Sequence, residues 1–221
     1  MPDMRRRAPE PPPRMPTIEH KPGLAADMLR ELAPLLAEEG IDVDNIDMPD
    51  LETLQAVMNR AVERHNMARF TPVGTAREYA LTTLRLVVEA VAEDNTKLAA
   101  AILDSVPPEA PDGKSATVAG CTGVALGLLD EWLSGHHADV PTGLAQQARL
   151  PAGHWVGERA ATDILVLAGK RRAFRSLHTL TVQQGGRHVL YGSALALAAA
   201  ALAWSQHTAT PITELARDQI R

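Results

Sequence analysis

Residues 187–207 read Arg187-His-Val-Leu-Tyr-Gly-Ser-Ala-Leu-Ala-Leu-Ala-Ala-Ala-Ala-Leu-Ala-Trp-Ser-Gln-His207. From Val189 to Trp204 there is no charge, and only Gly192, Ser193 and the Tyr191 hydroxyl interrupt the apolar surface. Ala and Leu are strong helix formers. A helix apolar on every side must be buried, in a protein core or in a membrane. The uncharged run is shorter than the roughly 20 strongly apolar residues that a span requires. The reading is therefore a core helix, with no membrane as partner.

Its expected neighbour is the segment 116–133, dense in small residues: Ala116, Ala119, Gly120, Cys121, Gly123, Ala125 and Gly127. A glycine inside a helix costs about 1 kcal/mol relative to alanine. A cluster of them predicts a close backbone approach, here to the 187–207 helix. Trp132, Trp155 and Trp204 are the expected large fillers of that core.

The rest of the composition agrees. Aromatic residues are 3% of the chain and hydrophobic residues 45%, with Ala and Leu prominent and β-favouring types scarce. The fold class expected is all-α, a multi-helix bundle of seven to nine helices around the buried Ala-rich helix, behind a disordered Pro-rich N-terminal arm. The arm is residues 1–23, with prolines at 2, 9, 11, 12, 13, 16 and 22 and little apolar surface to offset chain entropy. Residues 24–105 read as an acidic helical subdomain, 106–115 as a Pro-rich linker and 116–221 as the helical core domain. One continuous domain over 24–221 is the alternative. Residues 1–110 carry 12 Lys/Arg and 19 Asp/Glu, a net −7; residues 111–221 carry 10 and 8, a net +2.

Within this frame, apolar spacing predicts helices over 24–36 and 51–65, with Asp50 as an N-cap. The spacing 84, 88, 91, 95, 98, 102 runs through Asp94-Asn95, so 75–104 reads equally as one helix or two. Ser115 is the expected cap of a helix over 116–133, stopped by Gly135. Thr142 is the expected cap of a short helix to Arg149. Another helix ends at Gly169, a further one carries Phe174, Leu177 and Leu180, and Gly185-Gly186 precedes the central helix. Thr210-Pro211 begins a last amphipathic helix, with Pro at its first position.

Chemical motifs are weak throughout. The four aspartates in 41–50 lack the spacing of a calcium loop, because counting from Asp42 places Ile46 and Asp47 at positions 5 and 6. Pro108-Glu-Ala-Pro-Asp-Gly113-Lys114-Ser115 ends like a phosphate-binding loop. It has Pro where the first glycine belongs, and it follows no strand. One cysteine excludes an intramolecular disulfide and a four-cysteine zinc site. Neither a Glu-x-x-His pair nor His-Glu-x-x-His occurs. The weak metal candidates are His136, His137 and Asp139, near Asp130 and Glu131; no metal and no cofactor is expected. Cys121 and Ser193 stand outside any nucleophile-elbow pattern and read as small residues at helix contacts.

The positive binding signal lies in 142–175, which hold six Lys/Arg against two Asp/Glu. A short helix, a turn near Leu150–Gly153 and a second helix would form a helix-turn-helix. His154, Glu158 and Arg159 would then meet base edges, and Lys170, Arg171, Arg172 and Arg175 would contact phosphates. Against this, the chain as a whole is acidic. The leading functional expectation is a non-enzymatic interaction or regulatory protein that binds a protein partner or itself. A DNA-binding transcriptional regulator is the alternative, and an enzyme with scattered active-site residues the third reading. Without a signal peptide behind Arg5–Arg7, the expected location is cytoplasmic.

Overall fold

The computed structural model describes residues 69–109, 115–135 and 137–221 and, upstream of these, only Ala33, Pro34 and Ala37. The arm, the rest of the helices expected over 24–65, the acidic loop 41–50, Lys114 and His136 lie outside the described residues. Every regular element that is described is a helix. The order is α1 (Gly74–Ala92), α2 (Thr96–Asp104), α3 (Val118–Leu133), α4 (Leu144–Gln147), α5 (Glu158–Ala168), α6 (Leu177–Gln184), α7 (Gly186–Thr208) and α8 (Ile212–Gln219); a single 3-10 turn, Phe174–Ser176, leads into α6. The protein is all-α over these residues.

Helix α7 is the stretch quoted first. It is long and apolar enough to cross a membrane by length and composition, yet 83% of its apolar window is buried inside the protein. Each of the other seven described helices touches it, α5 and α3 most extensively. Helices α1 and α2 precede the Pro-rich segment, and they pack on α7 within the same compact unit, Glu63–Arg221, as the helices after it. Arg187 ties the two sides together. Its guanidinium donates to the carbonyls of Leu103 at 3.0 Å, Asp104 at 3.4 Å and Val106 at 3.0 Å. It thereby adds a donor to carbonyls at the end of α2, of which the Leu103 carbonyl also accepts from the Val106 N–H at 3.3 Å.

The close helix approach occurs at a different place from the one expected. A Cβ on Gly123 would lie 1.8 Å from the Phe70 carbonyl oxygen, one on Gly120 would meet Pro72, and one on Gly127 would meet nothing within 4 Å. Helix α3 packs extensively on α7 as expected, but its Gly120 and Gly123 seat the segment Phe70–Pro72. The tight seam is between α7 and α5. A Cβ on Gly192 would stand 2.4 Å from the Ala160 Cβ and 2.8 Å from the Ala161 nitrogen. Gly157, at φ +83°, leaves room for Gly192 and Tyr191 in return. Trp132 of α3 meets Trp204 of α7 edge to face, with ring centroids 5.2 Å apart.

Several boundaries also differ. The 75–104 region is two helices, because Asp94 turns left-handed at φ 54° and the Asn95 N–H closes back on the Ala90 carbonyl at 2.8 Å. The Asn95 side chain then caps α2 by accepting from the Leu98 N–H at 3.0 Å. The cap of α3 is Thr117, not Ser115; its hydroxyl accepts from the Gly120 N–H at 3.1 Å. Helix α4 follows Gly143, left-handed at φ 82°, rather than Thr142, and lasts a single turn. Pro211 stands one residue before α8.

The two kinds of glycine contact predict opposite outcomes for one substitution. Gly192→Ala should lower stability by about 1–3 kcal/mol through overpacking against α5, despite alanine's helix preference. Gly127→Ala should raise it by about 1 kcal/mol. Denaturant unfolding of both variants measures the difference.

Candidate functional site

Each candidate nucleophile and acid is best read by what already holds it. Cys121 is fully buried in α3, and burial pushes its thiol up to about 12. Ser193 is fully buried in α7, and its hydroxyl donates to the Leu190 carbonyl at 2.9 Å. The Tyr191 hydroxyl donates to an Asp104 carboxylate oxygen at 2.6 Å; burial first, and then that carboxylate, push its pKa up to about 12. His137 is half-buried with its ring 5.9 Å from Trp204, and its Nδ1 accepts from the Asp139 N–H at 3.4 Å, while Asp139 is exposed. Among the described residues no three His, Cys, Asp or Glu side chains gather as a metal site.

Residues 142–159 do not make the tight helix-turn-helix expected of them. Helix α4 is one turn long, and ten residues, 148–157, separate it from α5. The motif joins its helices through a turn of 3–4 residues. Pro151 offers no N–H, while Gly153 at φ 129° and Gly157 at φ 83° turn the chain through the left-handed region. The start of α5 is also packed on α7: Ala160 and Ala161 are buried, and Glu158 and Arg159 point outward. His154 is exposed and lines a separate cleft beside Trp155.

The other sequence-predicted residues do come together. Lys170, Arg171, Arg172 and Arg175 are all exposed, on the turn that follows α5. None of them forms an ion pair within 4 Å among the described residues. Their backbone is tightly determined. The Arg171 N–H donates to the Ala168 carbonyl at 2.8 Å and the Arg172 N–H to the Leu167 carbonyl at 2.9 Å. This is a Schellman closure, with Arg171 at φ 53° where glycine is usual. The next two amides go to one side chain: Ala173 N–H to Asp130 Oδ1 at 2.9 Å and Phe174 N–H to Asp130 Oδ2 at 3.0 Å. Asp130 thus reaches up from α3 and holds the basic turn from beneath.

Asp130 is only 8% exposed. Burial pushes its carboxyl above the usual value, while the Phe174 and Ala173 amides and the nearby Arg171 charge pull it back down. Ionisation is therefore harder in the folded chain, and this loss of stability develops as the pH rises through the raised pKa. The sequence names Asp130 only as a neighbour of the weak metal candidates, and its anchoring role is not visible there. The available signal was its position as the first charge in an otherwise apolar helix. Compared with known proteins, the chain matches no family model, no curated protein and no solved structure. The geometry of the turn alone carries the functional argument.

Two outcomes follow. Asp130→Ala leaves two amides without an acceptor and should cost about 2–4 kcal/mol of stability, with Asp130→Asn in between because one oxygen remains; equilibrium unfolding checks the order. The Cys121 thiol should resist alkylation in the native protein at pH 8 and react at the rate of unfolding in denaturant. Stability should also decline as pH climbs from 9.0 towards about 12, where only the unfolded chain ionises this thiol readily.

Proposed function

We propose that this protein is a non-enzymatic, regulatory helical bundle that works by binding an acidic protein surface with the turn Lys170–Arg175. One observation carries this reading: four exposed cations sit within six residues, on a backbone whose amides are committed to α5 and to Asp130. Fixing the backbone in advance lowers the entropy lost when a partner docks. Arginine suits the role, since its planar fork binds carboxylates in pairs of hydrogen bonds.

Duplex DNA is the second reading, favoured by the same charges. Three features weigh against it. Helix α5 has its start buried on α7, the cations gather on one turn instead of along a groove-sized face, and the chain carries a net charge of −5.

The test uses the full chain and an Arg171→Glu/Arg172→Glu/Arg175→Glu variant, at low and physiological salt. Saturable binding to poly-L-glutamate, weakened at least about tenfold by the variant, is the expected result. Binding to a random-sequence duplex that the variant abolishes would replace this reading with the second. Binding to neither polyanion would sink both.

A further inference from the structure

A cleft of about 190 Å³ opens between α1, α2, α7 and the segment His154–Val156. Its interior is apolar: Val87 and Val91 from α1, Leu103 from α2, Leu195 from α7 and the Trp155 indole. An apolar cavity of about 150 Å³ holds a benzene ring, so this one takes a body of ring size. The Trp155 side chain supplies a flat aromatic wall for it.

The polar lining is small and divides into used and unused groups. The Tyr191 hydroxyl is committed to Asp104, whose carboxylate also lies 4.0 Å from the Arg187 guanidinium. Lys97 and His154 are different. Both are exposed at the mouth, and neither makes a hydrogen bond or an ion pair among the described residues. An apolar, ring-sized interior with a free ammonium and a free imidazole at its mouth is complementary to an aromatic ring bearing one negative charge. One full cation at the rim suits a carboxylate. A doubly charged phosphate is better matched by paired arginine forks.

We infer that this cleft is a binding site for a small aryl carboxylate. The ring lies against Trp155 between Val87 and Leu195, and the carboxylate sits at the mouth on Lys97 with His154 as a second donor. The site shares no residue with the basic turn and stands or falls independently of it.

Phenylacetate is the probe, with phenylacetamide as its uncharged counterpart, titrated into the full chain. The readouts are tryptophan fluorescence and the three indole N–H signals of ¹⁵N-labelled protein. Phenylacetate should bind saturably and move the Trp155 indole signal, leaving those of Trp132 and Trp204 in place. Lys97→Met keeps the unbranched stem and removes the charge; it should weaken phenylacetate about tenfold and leave phenylacetamide, already the weaker ligand, unchanged. Ala100→Leu fills the cleft from α2 and should abolish binding of both, with circular dichroism and thermal melting showing that the fold persists. The charge-reversed turn variant should bind phenylacetate as the parent does. The inference is overturned if phenylacetate fails to saturate by about 10 mM, a weak limit even for a ligand of this size. It is equally overturned if phenylacetamide binds as tightly, or if the Lys97→Met chain binds phenylacetate unchanged.

Discussion

Helix α7 has no polar side to offer water, so protein must cover it in every direction. Its buried stretch is rich in Ala, with Gly192 and Ser193 near the start, and this decides how closely the cover can approach. At Gly192 the backbone of α5 comes within contact of the backbone of α7, and Gly157 makes the matching space on the other side of the seam. Near the far end Trp204 turns its ring edge to face on Trp132 of α3. Small residues at one end and large ones at the other thus set where α5 and α3 lie.

The basic turn depends on both placements. It is the last turn of α5 folded back on itself, and α3 supplies the Asp130 that receives its next two amides. A connecting segment must find partners for its backbone donors or leave them to water. Here the donors are claimed from above by α5 carbonyls and from below by one carboxylate. The four cationic side chains are left exposed to solvent, and the left-handed Arg171 is held in place by its surroundings.

Helix α5 also links the two regions argued to bind. The chain enters it through His154–Val156, which wall the cleft, and leaves it through Lys170–Arg172. Eleven residues of helix separate the two ends, about 16 Å at 1.5 Å per residue. The Gly157–Gly192 contact fixes the start of this rod against α7, so the same seam orients both ends.

Periodicity and composition alone determined the helical class, the burial of the uncharged run Val189–Trp204 and the grouping of basic residues after Gly169. Each follows from local chemistry: Ala and Leu favour helix, an uncharged helix must be covered, and Lys-Arg-Arg is contiguous. Helix ends were legible where glycine marks them, as at Gly135 and Gly185. The end of α5 was likewise legible at Gly169, whereas 75–104 read equally as one helix or two, because the break falls at a non-glycine residue, Asp94, which turns left-handed and is followed by an amide that closes back on the helix before it. The glycines of α3 announced a close approach without saying to what, because a missing side chain is equally compatible with any neighbour. Only the folded chain decided that Phe70–Pro72 fills that space and that α5 takes the place beside Gly192. The same holds for Asp130, which is forty-three residues from the first amide it caps. No local pattern encodes a pairing across that distance; it exists because α3 and α5 are brought side by side on α7.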